Sequence, residues 1–223
     1  MPVVATSSIL DEARMMAIDV ETTGWSPADG HVPIEVACVT IENGVIVDTW
    51  TSFVNPRRPV PTGARDVHGI DAAMLEGAPD PSIVAKELRA RCADLPLVLH
   101  HASFDLGFLW PMLREAGVAP LYNPVIDTLG LARGTFGSGA NALGQLRVSL
   151  GLEPEIEHRA AGDARTTARA LIALVPRWER ERGMRSIAEL AAASQDMLRA
   201  AARRGMNPDA NEDFAAPGRT PTF

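Results

Sequence analysis

Four carboxylates and one histidine stand out in this chain as groups able to do chemistry together: Asp19, Glu21, Asp105 and Asp163, with His158. Asp19 and Glu21 lie in Met15-Met16-Ala17-Ile18-Asp19-Val20-Glu21-Thr22-Thr23-Gly24, a short apolar strand that stops at a glycine. Side chains alternate along a strand, so the two acids share one face and Ile18 and Val20 the other. Neighbouring acids on a buried face repel and lose hydration unless a cation compensates. Taken alone, the pair also reads as a strand end whose acids reach solvent or an arginine. Asp105 adds to the case, because it precedes Phe108, Leu109 and Met112 by three, four and seven residues and so sits on the buried stripe of a helix. Each group falls at a strand end or a first helical turn, where open α/β sheets place their sites. Four converging carboxylates would repel strongly without bound cations, and oxygen-liganded divalent metals resolve the conflict. Two such ions, about 3.5–4 Å apart, stabilise the attacking and leaving oxygens of an in-line phosphoryl displacement.

The elements that must position these groups follow from periodicity and turn chemistry. Ile34 to Glu42 and Val45 to Val54 read as strands separated by Asn43-Gly44, a strong hairpin signal, so the first three strands form an antiparallel meander. Asn55 to Pro61 reads as an extended connection, followed by Val67-His68-Gly69-Ile70-Asp71 and a short helix through Met74 and Leu75. Asp80-Pro81-Ser82 opens a helix with an apolar stripe of Val84, Leu88 and Cys92. Leu95 to His100 is a doubly buried strand, and a helix runs from near Ala102 to about Ala116. Pro124 to Thr128 is a further strand. Helices fit Leu129 to Phe136 and Asn141 to Leu150, with Gly137-Ser138-Gly139 between them. After Gly162 a helix presents Ala164, Ala168, Leu171, Ile172 and Val175 on one face, with Pro176 marking its end or a kink. A last amphipathic helix carries Ile187, Leu190, Ala191, Ser194, Met197, Leu198 and Ala201, and beyond Gly205 the chain turns polar, as a disordered tail would.

Composition bounds the function. A chain of 223 residues with 46% hydrophobic content supports one well-buried domain plus an appendage, or two small domains. A net charge of −7 argues against coating nucleic acid through bulk positive field, but allows an enzyme that neutralises a few phosphates with metal ions. No apolar run approaches the about 20 residues of a membrane span, and Met1 to Ala13 has no export signal, so a cytoplasmic protein is expected. Cys38 and Cys92 fall in apolar patterns and read as packing residues.

These motifs resemble the DEDDh 3′→5′ exonucleases, and most closely their branch of epsilon-like proofreading subunits. Asp19-Val20-Glu21-Thr22-Thr23-Gly24 is similar to the first motif of that family and His101-Ala102-Ser103-Phe104-Asp105 to the second. His158 with Asp163 five residues later is similar to the third, and Val67-His68-Gly69-Ile70 to a further element of that branch. The resemblance spans residues 13 to 175 and implies an α/β protein with a ribonuclease H-like fold, a five-stranded mixed sheet flanked by helices. Together with the periodicity of the later segments, this gives an exonuclease domain over 13–182, an extension at 1–12, a C-terminal amphipathic helix at 183–204 and a tail at 205–223.

The resemblance also implies the roles. Asp19 would touch two divalent ions, Mg2+ or Mn2+, Glu21 and Asp163 would hold the ion that binds the attacking water, Asp105 would support the other, and His158 would be the general base. A histidine titrates near neutral pH, which suits that last role. Thr22, Thr23 and Gly24 are expected to cradle the terminal nucleotide, with His68, Leu75 and Phe104 beside it; each of these also fits a packing role. His31 and His100 read as structural. One departure is His101, where the second motif usually has asparagine; the change is expected to affect the hydrogen bonding of that turn and leave the metal ligands intact.

The function expected is a metal-dependent exonuclease acting on single-stranded 3′ ends, DNA favoured over RNA, with a polymerase as a candidate partner through the C-terminal helix. The alternative is a nucleic-acid-binding or assembly module on the same fold, which would have no need of a correctly spaced base.

Overall fold

The computed structural model describes residues 7–11, 13–137 and 142–203. The expected tail beyond Gly205, the Ser138-Gly139 linker, the helix start at Asn141 and most of the 1–12 extension lie outside the described residues.

The first strand, β1 (Arg14–Thr22), pairs antiparallel with β2 (Pro33–Glu42), which pairs antiparallel with β3 (Val45–Phe53). The hairpin turns on Asn43 and Gly44, both in the left-handed region at φ 51° and 73°, as a primed turn requires. Two short strands, β4 (Leu97–Leu99) and β5 (Val125–Asp127), then run parallel to β1, giving the order β3-β2-β1-β4-β5. The expected mixed sheet is present, with the meander at one side and the parallel strands at the other.

Parity along β1 divides the core. Met16, Ile18 and Val20 face α2 (Pro81–Cys92) and α3 (Ala102–Glu115), packing on Val84, Leu88, Cys92, Leu109 and Leu113. Met15 and Ala17 face the opposite layer, α6 (Ala160–Arg182), and meet Ala164, Ala168 and Leu171. Each large side chain buried this way contributes about 1.5–3 kcal/mol. Asp19 and Glu21 continue the odd-numbered face, so the strand delivers both acids toward the first turn of α6. Cys38 and Cys92 are buried free thiols inside the α2–α3 layer. Asp80 caps α2, accepting from the Ser82 N–H at 2.9 Å.

One element differs from expectation, and one choice left open is narrowed. The helix near Met74 is a run of turns, its start closed by the Asp71 carboxylate accepting from the Met74 N–H. The helix of this region is instead α1 (Thr62–His68), ended by Gly69 at φ 70°. It buries only His68, so it has no apolar stripe to betray it. Pro176 does not end α6, which runs six residues further to Arg182. Trp178 beyond the proline is 2% exposed and donates its indole N–H to Thr135 Oγ1, which anchors the last turns.

The remaining helices are α4 (Thr128–Phe136), α5 (Leu143–Ser149) and α7 (Ile187–Arg203). The apolar face of α7 packs on α4 and lies along β5: Leu190, Ser194 and Ala201 are buried, and Ser194 Oγ accepts the Asp127 N–H at 3.1 Å. That helix therefore closes one edge of the sheet.

Candidate active site

The odd-numbered face of β1 and the first turn of α6 bring three acids together. One carboxylate oxygen each from Asp19, Glu21 and Asp163 lie within 4.8 Å of one another. Glu21 is 6% exposed, and Asp19 and Asp163 are half-buried. Asp105 stands beside this group and outside it. It reaches over from α3, is 3% exposed, and its Oδ1 accepts the Val20 N–H at 3.2 Å.

The electrostatics are those of acids crowded together in a buried place. Burial first, then the carboxylates of Asp105, Asp163, Glu21 and Glu35, push Asp19 well above the ordinary carboxylate range. Burial followed by Asp163, Glu35 and Asp105 does the same to Glu21, against a smaller opposing pull from Arg159. Asp105 is also raised well above that range, by burial ahead of Asp127 and Asp163, although backbone N–H groups oppose it. Three carboxylate donors at this separation, with Asp19 and Glu21 both destabilised as anions, fit a hard divalent cation.

His158 precedes α6 in a left-handed backbone conformation, φ 55°, and its N–H donates to Asp163 Oδ2 at 2.9 Å. The base candidate and a ligand candidate are thus tied in one turn. On the far side of His158, Arg159 forks onto Glu35, with Nε to Oε2 at 3.0 Å and a terminal nitrogen to Oε1 at 2.7 Å.

The second motif is held from below. His101 sits in the left-handed region at φ 71°, a conformation in which Asn, Asp and His are enriched among non-glycine residues. That explains why asparagine is usual there and histidine is accepted. Asp127 fixes the turn, accepting the His101 N–H on Oδ1 at 3.0 Å and the Ala102 N–H on Oδ2 at 2.8 Å. The His100 ring and the Thr128 hydroxyl hydrogen-bond at 2.9 Å.

The residues expected around the nucleotide surround the end of β1. Thr22 Oγ1 donates to the Gly24 carbonyl at 2.7 Å, while Thr23 is fully buried, its hydroxyl accepting the Val32 N–H and pairing with His31 Nδ1. His31 closes over Gly24 so tightly that a Cβ there would lie 2.5 Å from its ring. His68 is 6% exposed, its Nδ1 accepting the Ile70 N–H at 3.0 Å, and burial lowers its pKa. Leu75 packs with Ile34 and Ile70. Phe104 is half-buried between Phe108 and Trp25, whose ring meets it edge-on at 6.3 Å.

Sequence reasoning passed over Glu35, Arg159, Asp127 and Trp25. Glu35 carried a usable signal, an acid inside the apolar run Ile34 to Ile41, and so did Asp127, an acid between an apolar pair and a helix start. Trp25, next to Gly24 and 52% exposed, has only its position to mark it.

Comparison with known proteins agrees with this geometry. The RNase_T family model, described as Exonuclease, matches residues 16–171. A DNA polymerase III of PolC type from Bacillus cereus is 38% identical over 168 residues, 75% of this chain and 12% of that protein. A DNA polymerase III subunit epsilon-like protein from Rhodobacter capsulatus is 35% identical over 173 residues, 75% of this chain and 24% of that one. The chain thus spans a quarter or less of the length of these relatives. Among solved structures, Exonuclease X in complex with 5′ overhanging duplex DNA superposes with a TM-score of 0.65 at 24% identity, covering 81% of this chain and 99% of that one, a likeness of fold.

Proposed function

The chain belongs to the RNase_T exonuclease family, and on that premise we propose that it is a metal-dependent 3′→5′ exonuclease acting on single-stranded 3′ ends, preferring DNA to RNA and releasing nucleoside 5′-monophosphates. The observation that carries the proposal is the meeting of Asp19, Glu21 and Asp163 oxygens beside the turn that bears His158.

Asp19 would hold both of two divalent ions, Mg2+ or Mn2+, with Glu21 and Asp163 on one and Asp105 supporting the other. When bound, such ions ease deprotonation of water and take up charge on phosphate oxygens. His158 removes the proton of the attacking water on an imidazole nitrogen, and Asp163 keeps that residue's backbone in place. The water oxygen forms a bond to phosphorus, the bond from phosphorus to the O3′ of the preceding nucleotide breaks, and that oxygen gains a proton from solvent. Thr22, Thr23 and Gly24 shape the cradle for the terminal nucleotide, with His68, Leu75, Phe104 and Trp25 around it.

We place the exonuclease unit at residues 13–182, with α7 packed on it. Because α7 turns its apolar face inward, a polymerase partner meeting it would contact the polar outer face; the polymerase names of the relatives support such a partner. No helix among the described residues is long and apolar enough to cross a membrane.

The test is digestion of 5′-labelled single-stranded DNA and matched RNA with Mg2+ or Mn2+, beside Asp19→Ala and His158→Ala. A ladder shrinking from the 3′ end, lost in both variants and faster on DNA, is expected. Undiminished hydrolysis by Asp19→Ala overturns the mechanism, and oligonucleotide binding without cleavage favours a binding module.

A further inference from the structure

Glu35 is an acid with no place in the chemistry so far. It lies directly across the β1–β2 pair from Glu21, its partner in the antiparallel register, and is 2% exposed. Like charges directly opposite on one face destabilise a strand pair, so such a residue needs a compensating contact. Both of its oxygens are engaged. Oε1 accepts from Arg159 at 2.7 Å, and Oε2 accepts from Arg159 Nε and from the Ala160 N–H, each at 3.0 Å. The Arg159 guanidinium also lies 5.6 Å from the centre of the Phe53 ring on β3.

These contacts converge on one turn. His158 holds a positive φ of 55°, less common than the right-handed and extended regions even for histidine, so contacts on either side help to fix it. Asp163 grips its N–H from the helix side, and Glu35 grips the next two residues from the sheet side. A bidentate charged pair is directional and short, the kind of contact that fixes orientation. The other loop acids paired with arginines are more exposed, the Glu155 side chain at 21% and that of Glu157 at 52% against 3% for Glu35.

We infer that Glu35 is a positioning residue of this active site: through Arg159 and the Ala160 N–H it locks the turn that aims His158 at the acid cluster. The inference deepens the exonuclease reading above and rests on it. Glu35 binds no metal and touches no substrate in this assignment: its carboxylate turns to Arg159 and Ala160, and it is not one of the three acids whose oxygens converge.

Hydrogen exchange and kinetics on the full chain test it together, using Glu35→Ala, Glu35→Gln, Arg159→Ala and Arg159→Lys. In the two alanine variants, exchange at the amides of His158 and Ala160 should quicken about tenfold while β1 stays protected, the signature of a local opening. Their kcat should fall about 10²-fold with KM within twofold, as small misplacements of a reacting group do. Glu35→Gln keeps an acceptor and should lose less. Arg159→Lys should fall between, and low concentrations of guanidinium should partly restore Arg159→Ala but not Asp19→Ala. Unchanged exchange at His158 and Ala160 overturns the inference, and so does quickened exchange with unchanged kcat. Absence of cleavage by the unsubstituted chain sinks the exonuclease reading instead, and the exchange result still decides whether Glu35 fixes the turn.

Discussion

A Cβ built on Gly162 would stand 2.0 Å from the carbonyl oxygen of Ile156. The first turn of α6 is therefore pressed against the backbone that leads into His158, with no room for a methyl group. Gly162→Ala should force that backbone outward, costing about 1–3 kcal/mol of stability. Single-turnover cleavage should fall further than the lost folded fraction explains, which melting curves and rates measured on one sample will show.

The raised carboxylates make a pH and metal prediction. Folding favours the protonated form of Asp19, Glu21 and Asp105, so their stabilising contribution is complete below the ordinary carboxylate pKa and is lost as pH rises through the raised folded values. Metal-free protein should melt higher at mildly acidic pH than at neutral pH. Asp19→Asn should raise the neutral-pH Tm of the metal-free protein and abolish cleavage. Saturating Mn2+ at 100 times its Kd should stabilise the unsubstituted chain by about 2.7 kcal/mol, a Tm rise on the order of 5–10 °C. In Asp19→Asn that rise should shrink or vanish.

His158→Ala separates base from ligand. Its kcat should drop about 10²–10⁴-fold, while the Mn2+-dependent Tm rise persists because the three clustered carboxylates remain. Loss of the thermal shift in this variant would mean that the imidazole holds metal itself.

The seating of α7 is open to a single substitution. A Cβ on Gly130 would lie 2.1 Å from the Ser194 carbonyl oxygen, so Gly130→Ala should lift α7 off α4 at a cost of about 1–3 kcal/mol. Faster exchange at the Asp127 amide, which now donates to Ser194 Oγ, is the specific readout.

What was legible in the sequence followed from periodicity. The alternation of β1, the Asn43-Gly44 turn and the stripes of α2, α3 and α6 are local patterns, and each maps onto one observed element. The RNase_T match and the five-stranded order agree with the fold expected from the motifs. Partnerships between distant segments were not legible. Glu35 and Arg159 are 124 residues apart, and nothing in either segment names the other. The short α1 escaped because it buries a single side chain, and the choice between an end and a kink at Pro176 stayed open because the residue that anchors Trp178 beyond it, Thr135, belongs to a separate helix.

The placement of α7 along β5 has a further consequence for how copies of this sheet can meet. An uncovered strand is a template to which another chain can add, and a sheet with two such borders can propagate without limit. Here one border is occupied by a helix from the same chain, and among the described strands only β3 keeps an unpaired outer side. Association through the described strands has only the β3 border to use and so ends after a single addition, a safeguard in this topology against growing into a fibre.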